Sequence, residues 1–100
     1  MDISAPNGTP VYAVAAGQVH LEDARAVSVA AGDVDFGYWH VVPVVRHREV
    51  VARHQLLGHI EAPWLHVHFA ERRGGVSVLS DAKNCAWYDR LSLRQILDGQ

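Results

Sequence analysis

The stretch at residues 65–71 (LHVHFAE) alternates strictly between apolar and polar residues as far as Phe69. Because successive side chains of a β-strand point to opposite faces, this alternation predicts a strand. His66 and His68 then project together from one face, where two imidazoles either serve metal binding or catalysis or simply form a polar strand face. The apolar side chains of the other face are expected to anchor the strand in the core: Leu65, Val67 and Phe69.

Most of the remaining chain also has the pattern of short strands separated by glycine or proline. The segments expected to be strands are residues 10–15, 18–22, 26–30, 34–42, two pieces within 49–60, and 76–79. Only the end of the chain looks helical, because Ser92 and Gln95 have capping-box spacing before an apolar pair. The sequence therefore predicts a mainly β fold, a small antiparallel sheet or sandwich with a short C-terminal helix.

Length and composition describe one small globular domain. The chain has 100 residues, of which 49% are hydrophobic and 20% charged, so it can build a core and is not a disordered chain. A formal charge of −2 argues against nucleic acid as a partner. No apolar run reaches the ~18 residues of a membrane span, and the first twenty residues lack an export-signal pattern. The single cysteine, Cys85, excludes a disulfide framework.

Seven histidines are many for a chain of this length, and histidine is the commonest metal ligand. His40 follows Trp39 on the longest predicted strand, where the alternation places Tyr38, His40 and Val42 on one face. Taken alone, His40 fits either a hydrogen-bonded histidine at the edge of the core or a catalytic group. The other four are expected to be solvated: His20, His47, His54 and His59.

Four segments in order resemble the lysostaphin-type (LytM-like) zinc endopeptidases. Residues 2–19 (DISAPNGTPVYAVAAGQV) are similar to the family's opening, which has a ligand Asp, a small-Ala-Pro and a Gly-Thr-Pro-Val. Residues 38–40 (YWH) resemble its Tyr-x-His, and residues 50–58 (VVARHQLLG) resemble its glycine-containing hairpin. Residues 63–71 (PWLHVHFAE) resemble the closing Pro-His-x-His-Phe segment. The resemblance covers residues 2–71 and implies the small β sandwich of that family, a duplicated-hybrid-motif-like fold.

The resemblance implies a role for each matching residue. Asp2 and His68 match zinc ligands, whereas His40 and His66 match the two histidines that flank the attacked carbonyl. A zinc ion with three protein ligands and one open position lowers the pKa of a bound water to about 7. A neighbouring imidazole can take the proton of that water, and a second can donate a hydrogen bond to the developing oxyanion. The substrates implied are peptide bonds of bacterial cell-wall peptidoglycan.

The sequence also departs from the family pattern. The family's first zinc ligand is a histidine four positions before the aspartate, and this sequence begins one residue before Asp2. Because two protein ligands fall short of a catalytic zinc site, we expect a truncated or degenerate copy with weak metal binding and little hydrolysis. Arg53 stands where the hairpin usually has glycine, and the loop before His66 is short, so the groove walls are expected to be cut back. We assign residues 1–79 to the peptidase-like domain and residues 80–100 to a tail packed on or extending it.

Three other function classes stay open on the sequence. The first is a non-catalytic module on the same scaffold, which holds a peptidoglycan peptide or a protein partner in its groove. The second is a cupin-like metal barrel, suggested by His66, His68 and Glu71. The third is a biotinyl- or lipoyl-like carrier, suggested by the hairpin running into residues 58–62 (GHIEA), although the only lysine is Lys83. The family acts outside the cytoplasm, and the sequence leaves the location of this chain open.

Overall fold

The structure, a computed structural model, describes residues 2–61 and 65–73 and the backbone of residues 76–77. Within these residues the chain forms ten β-strands. They are β1 (Asp2–Ser4), β2 (Pro10–Tyr12), β3 (Gly17–Asp23), β4 (Ala26–Ala31), β5 (Val34–Trp39), β6 (Val41–Pro43), β7 (Val50–Val51), β8 (Leu56–Ile60), β9 (His66–Arg73) and β10 (Val76–Ser77). The predicted mainly β fold is confirmed, whereas the helix expected near Ser92 lies outside the described residues.

The described strands pair into two sheets, and every pairing is antiparallel. The larger sheet has the order β1-β9-β5-β4-β3-β7, with β10 also paired to β9, and the smaller sheet has the order β2-β8-β6. Both sheets contribute to one apolar core, whose largest fully buried side chains are Tyr38, Phe69, Leu57, Ile60, Val11, Val19, Val27, Val29, Val41, Val51 and Val67. No helix among the described residues is long and apolar enough to cross a membrane.

Strand β9 lies between β1 and β5 and presents its two histidines as the alternation predicts. Val67 and Phe69 are fully buried, whereas His66 and His68 lie on the opposite face and are partly exposed. Leu65 does not anchor the strand, and this expectation was wrong. It lies directly before β9 with a left-handed φ of +54°, and its side chain is 55% exposed.

The long strand predicted at residues 34–42 is two strands in two different sheets. His40 has a φ of +69°, a left-handed conformation that ends β5 and directs the chain into β6 of the smaller sheet. Because the turn resets the alternation, Tyr38 and Val41 are both fully buried, and the shared face predicted for Tyr38, His40 and Val42 does not exist. Pro43 lies at the end of β6, an edge strand among the described residues, as a proline in a sheet is expected to do.

Candidate functional site

Asp2 and His68 face each other across two neighbouring strands. The register of β1 against β9 places the two residues directly opposite, although they are 66 positions apart in the sequence. His68 Nδ1 lies 2.7 Å from Asp2 Oδ1, which is a short hydrogen bond between the imidazole and the carboxylate. This hydrogen bond lowers the pKa of Asp2, so the carboxylate stays charged well into the acidic range.

His40 and His66 form a second pair beside the first. Their ring centroids are 4.8 Å apart with an interplanar angle of 72°, an edge-to-face contact. His66 lies two residues before His68 on the same face of β9, opposite Ser4. The left-handed backbone of His40 aims its ring toward β9 from the point where β5 ends. Burial lowers the pKa of His40, and the neighbouring imidazoles lower it further, so this ring is neutral near pH 7.

Trp39 connects the two pairs. It lies directly opposite His68 in the register of β5 against β9, and the two rings are 5.4 Å apart. Its chain neighbour His40 contacts His66. Residues 39 and 40 together therefore contact both histidines of β9. An open cavity of about 330 Å³ lies beside this dipeptide, and its other wall is the turn between β3 and β4, at residues 23–25.

The four residues that the sequence analysis singles out therefore meet at one end of the larger sheet. Asp2 comes from β1, His66 and His68 from β9, and His40 from the break after β5. The remaining histidines lie elsewhere. His20, His47 and His59 are exposed as expected, whereas His54 is half-buried, with its Nε2 enclosed and unpaired among the described residues.

The donor types of Asp2 and His68 fit zinc, but they account for only part of a zinc site. Two ligand atoms around a tetrahedral zinc lie about 3.3 Å apart, so the 2.7 Å pair needs only a small opening to hold the ion between them. A catalytic zinc site uses three protein ligands, and among the described residues no three such side chains are arranged so that they could hold one metal ion. Asp2 and His68 thus have the donor atoms of two zinc ligands, and the described residues offer no third.

The cupin-like arrangement is excluded by the geometry of β9. That arrangement needs His66, His68 and Glu71 around one metal. Glu71 points to the opposite face of the strand, lies opposite Phe36 in β5, and is 5% exposed. Its carboxylate accepts a hydrogen bond from Arg73 Nε at 3.1 Å. The odd spacing from His68 is the reason, because residues an odd number apart on a strand face opposite sides.

Sequence reasoning missed two parts of this site. Arg72 shares the face of His66 and His68, which the period-two rule applied to β9 would have shown, and it contacts Trp39 of the neighbouring strand. The wall at residues 23–25 depends on a tertiary contact: Arg25 O accepts hydrogen bonds from the backbone N–H groups of His40 and Val41. Nothing in the local sequence signals that contact.

Comparison with known proteins points to one family of folds. No family model and no curated protein sequence matches the chain. Among solved structures, Csd3 of Helicobacter pylori is similar over 75% of this chain, with 17% identity and a TM-score of 0.69, and the match spans 23% of Csd3. The catalytic domain of the prophage-encoded M23 protein EnpA of Enterococcus faecalis is similar over 77% of this chain and 71% of its own, with 25% identity and a TM-score of 0.66.

A third similar structure is LytU, with 24% identity and a TM-score of 0.60 over 75% of this chain and 61% of LytU. The chain spans about a quarter of the length of Csd3 but most of the EnpA catalytic domain. The described part of this chain therefore has the lysostaphin-type (LytM-like) M23 fold.

Proposed function

We propose that this chain is a LytM-like zinc endopeptidase domain that acts on peptide bonds of bacterial peptidoglycan. In this proposal Asp2 and His68 are two of the zinc ligands, and His40 and His66 flank the carbonyl that is attacked. The observation that carries the proposal is the convergence of these four residues from three places in the sequence. Neither the composition nor the core requires four distant polar residues to meet.

The chemistry assigned to this chain's own residues is proton transfer and oxyanion stabilisation. A bound zinc supplies Lewis acidity and an activated water. His66 takes the proton of the attacking water. It is placed to do so because it lies on the same strand face as His68 and its ring contacts that of His40. His40 donates a hydrogen bond to the developing oxyanion from a fixed backbone position, which costs little reorganisation during the reaction. Peptide substrate lies along the sheet face beside residues 23–25, where the cavity is open.

The test of this proposal uses two chains, the present one and one extended by a His-x-x-x segment ahead of Asp2. The extended chain is expected to bind zinc on the order of 100-fold more tightly, since loss of even a supporting partner of a ligand costs 10–100-fold. It is also expected to release dye from labelled cell walls, whereas the present chain binds zinc weakly and hydrolyses little. Zinc affinity is measured by competition with a chromogenic chelator.

Two variants of the extended chain separate the roles. Asp2→Asn keeps the shape of the side chain but removes a charged ligand, so zinc affinity falls. His66→Ala leaves zinc affinity unchanged but abolishes dye release. Strong hydrolysis by the unextended chain would show that the ligands are misassigned. Hydrolysis that survives His66→Ala would move the proton-transfer role to another residue, with His40 the next to replace.

A second candidate function is a binding module that holds a peptidoglycan peptide or a protein partner without cutting it. The direct 2.7 Å hydrogen bond between His68 and Asp2 favours it, because each group satisfies the other without a metal. Binding of soluble peptidoglycan fragments that is unaffected by a chelator, with no hydrolysis by either chain, would establish the module and overturn the enzyme.

A further inference from the structure

We propose that Trp39, held in place by Arg72, is a positioning residue for His68. Its indole fixes the orientation in which His68 Nδ1 faces Asp2. This inference deepens the proposed function and rests on it wherever zinc is concerned, but its first consequence is visible in the metal-free protein. It depends on three contacts in a row across the larger sheet, from Arg72 to Trp39, from Trp39 to His68, and from His68 to Asp2.

The indole of Trp39 lies directly on the backbone of Gly37. A Cβ atom at position 37 would be 2.4 Å from both Cη2 and Cζ3 of the indole, closer than any real side chain allows. Trp39 and Gly37 are two residues apart on β5, so the ring folds back along its own strand to cover the glycine. Only a glycine at position 37 leaves room for the indole to pack against the strand backbone. From this position the ring reaches His68 on the neighbouring strand.

Arg72 holds the Trp39 ring in this position over Gly37. Its Cζ lies 5.3 Å from the centroid of the Trp39 ring, within the range of a cation–π contact. Its Nη2 donates hydrogen bonds to Glu22 Oε1 at 3.1 Å and to Asp35 Oδ2 at 3.0 Å. These carboxylates come from β3 and β5, so the guanidinium is held from two strands, and its side chain is only 21% exposed. Lysine has a single rotatable ammonium and does not reproduce this planar arrangement.

His68 needs such support because its side chain is 45% exposed. Among the described residues, the polar and ring contacts of its imidazole are the hydrogen bond to Asp2 and the tilted contact with the Trp39 ring. Without the indole, the ring can turn about the Cβ–Cγ bond and exchange Nδ1 for a carbon at the position facing Asp2. Groups that orient a metal ligand in this way commonly contribute 10–100-fold to metal affinity.

The test measures the imidazole of His68 directly, by long-range proton–nitrogen NMR of the full chain labelled at histidine, without metal. In the wild type, Nδ1 of His68 is expected to show a single state, hydrogen-bonded to Asp2, with through-space contacts to Trp39. Trp39→Ala is expected to give averaged ring signals and Trp39→Phe to restore the single state, since phenylalanine also provides an aromatic face. The affinity for zinc alone is expected to fall about 10-fold in Trp39→Ala.

Arg72→Gln and Arg73→Gln form a matched pair for the second half of the inference. Arg73 is the next residue on β9 and pairs with Glu71 on the opposite face, so its loss removes an ion pair without touching the indole. Averaged His68 signals in Arg72→Gln, together with wild-type signals in Arg73→Gln, support the positioning role. A single wild-type state of His68 in both Trp39→Ala and Arg72→Gln overturns it. If the wild-type chain and its extended form bind no zinc, the proposed function fails, while the NMR comparison still decides this inference.

Discussion

His40 carries more conformational strain than its neighbours, and its backbone contacts explain why the strain persists. A non-glycine residue in the left-handed region costs about 1–2 kcal/mol. Here the His40 N–H donates to Arg25 O at 2.9 Å, and His40 O accepts from the Glu61 N–H at 3.1 Å. The two hydrogen bonds hold the residue where the chain changes sheets. Backbone strain of this kind is often found at functional sites, and here it directs the ring toward His66.

Replacing His40 with glycine is expected to separate stability from function. Glycine adopts the left-handed conformation without strain, so His40→Gly should leave the free energy of unfolding unchanged or raise it by up to about 1 kcal/mol. The same variant, in the chain extended ahead of Asp2, should lose hydrolysis. Arg48→Gly is the matched control, because Arg48 has a φ of +70° but lies in the turn before β7. Stability is measured by urea unfolding, and a loss above about 2 kcal/mol in His40→Gly would assign the imidazole to the core instead.

At the scale of one element, β8 depends on a glycine in the middle of the smaller sheet. Gly58 lies between Val11 of β2 and Pro43 of β6. A Cβ atom there would be 2.1 Å from the backbone oxygen of Val42 and 2.8 Å from Cγ1 of Val41. The first of these atoms is backbone and cannot rotate away, so β6 would have to move. The glycine therefore sets how closely the two strands approach.

Gly58→Ala is accordingly expected to destabilise the protein by about 2–3 kcal/mol, the upper part of the range of about 1–3 kcal/mol found for overfilled interiors. Gly8→Ala is the control, since Gly8 has a φ of +84° and no atom within 4 Å of the added Cβ. Its cost is limited to the backbone conformation, about 1–2 kcal/mol. Urea midpoints of the two variants give the comparison. Equal losses of stability in the two variants would show that β6 moves to accommodate the methyl group, and that Gly58 does not set the distance between β6 and β8.

At the scale of the whole molecule, Tyr38 joins the two sheets. It belongs to β5 of the larger sheet, is fully buried, and packs its ring 5.2 Å from that of Phe69. Its hydroxyl oxygen accepts a hydrogen bond of 2.9 Å from the N–H of Val14, which follows β2 of the smaller sheet. Burial raises the pKa of Tyr38, so the hydroxyl stays protonated over the whole physiological range.

Tyr38→Phe keeps the ring but leaves the Val14 N–H without its acceptor. The expected loss is about 1–2 kcal/mol of unfolding free energy, with no change in zinc affinity, because the hydroxyl lies on the core side of the sheet. Tyr12→Phe is the control, because Tyr12 is a half-buried residue whose hydroxyl makes no hydrogen bond among the described residues. Thermal unfolding of both variants, followed by circular dichroism, measures the difference. Unchanged stability in Tyr38→Phe would mean that water accepts the hydrogen bond of the Val14 N–H in place of the hydroxyl.

The alternation of residues 65–71 determined the most about this protein. It correctly predicted a strand with two histidines on one face, and it correctly placed two of its three expected core residues, Val67 and Phe69, in the core, because the period of two is a property of the backbone alone. The ordered motifs likewise predicted the fold that the similar solved structures share. Leu65 shows the limit of this reasoning, since alternation cannot tell where a strand begins.

Other features were decided only by the tertiary structure. The turn at His40 depends on a hydrogen bond that it donates to residue 25 and one that it accepts from residue 61, both distant in the sequence, so the local alternation missed it. The contact of Trp39 with His68 and Arg72 depends on the register of β9 against β5, a pairing of residues about thirty positions apart. Local patterns predict which residues lie on each face of a strand. Which strand lies beside it, and in which register, follows from packing all the strands against one core.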